Sequence, residues 1–79
     1  MAIEYQKKSA VFKDTVGVEE ADGLLEWLRK HPRSRIDFSQ CQYLHAANLQ
    51  VIMAVNPTIS AWPNDARLRM WLESAIKQH

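Results

Sequence analysis

The chain is poor in the residues from which special sites are usually built. Its 79 residues include one cysteine, two glycines and three prolines. A solitary Cys41 excludes an intrachain disulfide and a four-cysteine metal site. Two glycines leave no Gly-rich loop to cradle a phosphate. The longest apolar run, Val51 to Val55, falls far short of the roughly 20 residues a helix needs to span a bilayer, so direct membrane insertion is not expected. The opening stretch MAIEYQKKS has no apolar core of the secretory kind, from which a cytoplasmic location is expected. Neither sign of charge dominates: a formal net charge of +1 gives no general attraction to nucleic acid.

What is present is an ordinary globular composition, 47% hydrophobic and 24% charged, sufficient for one small domain over residues 1–79. A domain this small removes only about 60% of its unfolded surface from water, so modest stability is expected. There is no repeat, low-complexity tract or linker.

The organising stretch is Arg35 to Asn56, RIDFSQCQYLHAANLQVIMAVN. It reads as a short strand over Ser34 to Ser39, a turn with its tip near Leu44 to Asn48, and an apolar helix over Ala46 to Val55. That helix has only Asn48 and Gln50 as polar positions, so cover on most sides is expected. Asn56-Pro57 closes it. Upstream, Met1 to Val16 reads as one or two short strands, the second case being a hairpin that breaks around Lys7 to Ser9. From Val18 to His31 the spacing of Ala21, Leu24, Leu25 and Leu28 predicts an amphipathic helix. Its acids lie early and its bases late, as the helix dipole favours, and Pro32 stops it. Downstream, Thr58 to Trp62 is read as a third parallel strand. Asn64 is read as an N-cap, with Asp65 in the first turn. A last helix then buries Leu68, Trp71, Leu72 and Ala75 beside Ile76 and exposes Arg67, Arg69, Glu73 and Lys77. The order βαβαβα, with one or two short N-terminal strands, predicts an α/β sandwich with a mostly parallel sheet and helices packed against it.

Ile36-Asp37-Phe38-Ser39, His45-Ala46-Ala47-Asn48-Leu49 and Gln50-Val51-Ile52-Met53-Ala54 together resemble the STAS domains, the sulphate transporter and anti-sigma factor antagonist family. In that family a V-D-L-S strand is followed by a D-S-S-G-L turn and a helix of the L-x-V-L-L-A kind. The specific match covers about the central quarter of the chain, and the order of elements covers most of it. The resemblance implies a short, stand-alone, non-enzymatic interaction module without a cofactor. Its partner would be a regulatory kinase, an anti-sigma factor or another complex subunit. The implied docking surface is Leu44, His45, Ala46, Ala47, Asn48 and Gln50, with Ala46, Ala47 and Asn48 at its centre. The chain departs from the family at every polar position of the turn. His45 stands for the aspartate, Ala46 and Ala47 for the serines, and Asn48 for the glycine. Phosphorylation would add a charge of about −2 to such an interface, but neither alanine can accept it, so the family's serine switch is absent here. Ser39 is not an obvious substitute.

Other readings stay open at this level. The same face or the tryptophans could assemble a homodimer or a structural subunit, such as one in a lipid-transport complex. A small molecule or nucleotide could sit at the strand ends. His45 could be a modified or pH-sensitive residue, or a polar residue filling the place of a cap. Cys41 and His45 are spaced for shared ligation but lack a second pair, so no metal is expected and a structural thiol is preferred. Arg29, Lys30, Arg33 and Arg35 could hold a phosphate or an acidic partner, or simply form a solvated helix end. Trp27 and Trp62 are candidate additional contacts; Trp71 is expected in the core.

Overall fold

The computed structural model describes residues 2–76; Lys77, assigned above to the exposed face of the last helix, lies outside them. The fold is α/β, a four-stranded mixed and mostly parallel sheet with three helices in the order ββαβαβα. The N-terminal hairpin joins β1 (Ile3–Tyr5) antiparallel to β2 (Ser9–Val16). It turns over residues 6–8, where the Gln6 N–H donates to the Ser9 carbonyl at 2.7 Å. A single 3₁₀ turn at Val18–Glu20 leads into α1 (Ala21–Lys30). Next come β3 (Arg35–Leu44), α2 (Ala46–Val55), β4 (Thr58–Ala61) and α3 (Ala66–Ala75). The strands lie side by side in chain order, with β2, β3 and β4 mutually parallel.

The central strand is longer than the sequence reading allows. β3 continues through Gln40, Cys41, Gln42 and Tyr43 to Leu44, where a turn is expected from the pattern. Two shifts in its register against β2 explain the difference. Val11 pairs with Asp37 but Lys13 with Gln40, and Asp14 pairs with Cys41 but Thr15 with Tyr43. Each shift adds a residue to β3, so its buried positions fall at Ile36, Phe38, Cys41 and Leu44 rather than at every second residue. Asp14, at the second shift, takes a left-handed conformation with φ of 52°, which an aspartate tolerates better than a branched residue.

One face of the sheet carries the core. Ile3, Ala10, Phe12, Val16, Ile36, Phe38, Cys41 and Leu44 form a single cluster with residues from all three helices, Leu24 and Leu28, Leu49 and Ile52, and Leu68 and Leu72, and with Ile76 just after α3. Phe12 and Phe38 meet edge to face at 5.0 Å at its centre, a favoured aromatic geometry. The reverse face presents the Glu4, Val11 and Asp37 row and adds nothing to that cluster. The β2–α1–β3 and β3–α2–β4 connections progress in one direction across the sheet, and right-handed crossovers then set α1 and α2 on the same side. The two helices pack against each other there.

The ends of the helices follow local chemistry, with one correction. α1 stops before Pro32 as expected. α2 stops at Asn56, which turns left-handed at φ of 55° and donates its N–H to the Ile52 carbonyl. The cap of α3 is Asp65 rather than Asn64: the Asp65 carboxylate accepts from the Leu68 N–H at 2.9 Å. Asn64 instead donates to the Ser39 carbonyl at 3.4 Å. α3 buries Leu68 and Leu72. Trp71, expected in the core, is 40% exposed, because it sits on the flank of a narrow stripe. Arg67, Arg69 and Glu73 are exposed as expected.

Candidate functional site

The strand-to-helix junction is tighter than a loop. β3 ends at Leu44 and α2 begins at Ala46, so His45 alone connects them. Its extended backbone places it at the N-cap, and its Nδ1 accepts from the Ala47 N–H at 3.0 Å. An accepting Nδ1 requires the tautomer whose ring proton sits on Nε2. The His45 N–H donates to the Val16 carbonyl at 2.9 Å. The histidine therefore fills the place of a cap, and satisfies the helix start better than its residue type suggests.

The six residues expected to form the docking surface divide between inside and outside. Leu44 is 1% exposed and Asn48 fully buried, so neither offers a side chain to a partner. Asn48 instead ties α2 to the end of β2. Its Nδ2 donates to the Gly17 carbonyl at 2.7 Å and the Val16 carbonyl at 3.4 Å. His45 and Ala47 are half-buried, and Ala46 and Gln50 exposed. The expectation that α2 is covered on most sides fails as well. Only Asn48, Leu49 and Ile52 are buried on this helix. Met53 is 49% exposed, Ala54 is exposed, and Val51 and Val55 are half-buried.

The outer side of α2 is thus an uncharged ridge of Ala46, Gln50, Met53 and Ala54, which fall at i, i+4, i+7 and i+8 and so share one helix face. Sequence reading placed the site at the first turn and missed Met53 and Ala54. The signal was available, since not one of the ten residues of α2 is charged. A helix on the rim of a small domain keeps a charged outer face unless something else covers it.

Trp27 and Trp62, the candidate additional contacts, are both partly covered and partly open. Trp27 is half-buried, with Tyr5 on one side at 5.1 Å and the His31 ring stacked on it at 4.6 Å. Trp62 is half-buried against the core. The more open tryptophan is Trp71, beside Met70 at 72% exposure on α3.

Cys41 belongs to the core, with its Sγ directed to the Tyr43 carbonyl at 3.4 Å. Burial pushes its thiol up from 9.0 to about 11, which suppresses the reactive thiolate. Among the described residues no three His, Cys, Asp or Glu side chains come together in a way that could hold a metal ion. None of the described helices is long and apolar enough to cross a membrane.

No protein-family model matches the chain, and no curated protein matches its sequence.

Proposed function

We propose that this chain is a non-enzymatic, STAS-like docking module that binds a partner protein through the N-terminus and outer face of α2. The observation that carries this reading is the uncharged outer face of α2, with Ala46, Gln50, Met53 and Ala54 open to solvent on an otherwise normally charged surface. The order of elements around Ile36–Ser39 and His45–Leu49 is the one the family resemblance implies, and adds support.

The chemistry of the ridge specifies its partner. Small side chains at Ala46, Ala47 and Ala54 let another backbone approach closely, while Met53 supplies a flexible apolar contact that adapts to its surroundings. A face without charge favours an apolar, neutral surface, in the manner of a helix laid against a groove. Ala46 and Ala47 carry no hydroxyl, so docking here is not switched by phosphorylation of this turn. Release depends on the partner's own state or concentration.

Ala46→Glu tests the reading. A carboxylate in the first turn suits the helix dipole, so the fold is retained, while a charge is forced into the contact. With the purified partner, affinity is expected to fall at least tenfold, as for an unpaired charge desolvated in an interface. Unchanged affinity in a titration would move the site elsewhere. Sedimentation of the chain alone checks the second-copy alternative: a single-chain mass at tens of micromolar supports a foreign partner.

A further inference from the structure

A second surface feature lies at the opposite end of the sheet. The β1–β2 turn and the α1–β3 connection together enclose a recess of about 750 Å³, lined by Lys7, Lys8, Ser9, His31, Pro32, Arg33, Ser34 and Arg35. The two segments are fastened to each other: the Arg35 N–H donates to the Lys8 carbonyl at 2.9 Å, and Ser9 pairs with Arg35 in the sheet. The recess is therefore part of the folded frame. From this site we infer that the chain binds a small phosphorylated molecule, whose phosphate is held by Arg33, Arg35, Lys7 and Lys8.

Charge is the first support. Four cationic side chains line the recess and no carboxylate does, in a chain whose net charge is only +1. Among the described residues the ion pairs are Lys13–Glu4, Lys30–Glu26 and Arg69–Glu73; none involves a cation of the recess. A solvated helix end does not account for the cluster. Arg29 and Lys30 already occupy the last turn of α1, whereas Lys7, Lys8 and Arg35 come from the hairpin turn and the start of β3. Arginine forks match phosphate oxygens in pairs, and lysines add mobile point charge.

Ser34 is the second support. It lines the recess, is 3% exposed, and its hydroxyl has no hydrogen-bond partner. Buried hydroxyls are nearly always satisfied. In the inferred complex this hydroxyl supplies a donor to the oxyanion seated among the cations. His31 forms a wall of the recess. Its Nδ1 is held by the Trp27 carbonyl at 2.9 Å and its ring by the Trp27 indole, which fixes the edge it offers. The recess is open to solvent and wider than a bare phosphate, which leaves room for a further group on the ligand.

The test is an amide-shift titration of the whole chain at constant ionic strength, adjusted with sodium chloride. The probes are inorganic phosphate, the phosphomonoester AMP, and adenosine. Saturable shifts confined to residues 7–9 and 31–35, with both phosphates and not with adenosine, are the expected result. The double variant Arg33→Gln/Arg35→Gln is expected to bind at least tenfold more weakly. Ser34→Ala is expected to bind several-fold more weakly while melting no lower than the wild type, since it removes an unpaired buried hydroxyl. Overturning results are linear shifts spread over every lysine, equal shifts with chloride alone, or unaltered binding by the double variant. Binding to phosphatidic acid vesicles with none to the soluble phosphates would also overturn it.

Discussion

Helices α1 and α2 are each ten residues long and pack against each other over the same core, yet they treat solvent in opposite ways. On α1, Leu24 and Leu28 face inward while Asp22, Glu26, Arg29 and Lys30 are exposed. On α2, Leu49 and Ile52 face inward while the ridge from Ala46 to Ala54 remains apolar apart from Gln50. Each helix buries two large apolar residues fully and packs others against the core only in part, Trp27 on α1 and Val51 and Val55 on α2. The inner contacts of α2 belong to the fold, whereas its apolar outer face is surplus to folding and is the face proposed for docking.

That division can be broken by substitution. The largest effect is expected at Ile52, whose truncation to alanine should cost about 2–5 kcal/mol in urea denaturation. The same truncation at neighbouring Met53 should stay within about 0.5 kcal/mol; similar costs at both positions would erase the distinction between the faces. Asn48→Ala should cost about 1–3 kcal/mol, because it removes the donor to the Gly17 and Val16 carbonyls at a buried position. An effect near zero would mean that this clasp does not hold α2 to the sheet. On α1 the sign reverses. A Cβ added at Gly23 meets nothing within 4 Å, so Gly23→Ala should stabilise by about 0.5–1 kcal/mol; a loss would show that this outer face is not open. A further effect, visible only at high pH, lies in the core. The Cys41 thiol, at about 11 when folded against 9.0 ordinarily, stays neutral in the folded chain while the unfolded chain ionises. Stability should therefore be unaffected by this group below pH about 9 and decline between pH about 9 and about 11. Alkylation at pH 8 should be slow until denaturant is added, and rapid labelling of the folded chain would contradict the burial.

The same contrast explains what the sequence makes legible. α1 is readable because its apolar stripe, its charge order and Pro32 all point one way. The hairpin is readable from the alternation of Ile3 and Tyr5 and the polar break at Lys7–Ser9. β3 is readable only to Ser39, since two register shifts move burial to Cys41 and Leu44 and disguise the second half as a turn. Trp71 misleads because hydrophobicity and spacing identify a stripe but not its width. The candidate site suffers from the same limit: the helix start at Ala46 is legible, while the inward turn of Leu44 and Asn48 is not. Asn48 in particular takes its role from the carbonyls of Val16 and Gly17, 32 and 31 residues away, and no local pattern carries that information.

The most direct test of the docking role compares the two helices in one experiment. Tagged wild type, Met53→Glu on α2 and Arg29→Glu on α1 would each be used for capture from native lysate, with bound proteins identified by mass spectrometry and thermal melts run in parallel. The expected result is one protein held by the wild type and by Arg29→Glu but lost by Met53→Glu, with all three chains folded. Equal retention by all three would contradict the assignment of the α2 face as the docking surface.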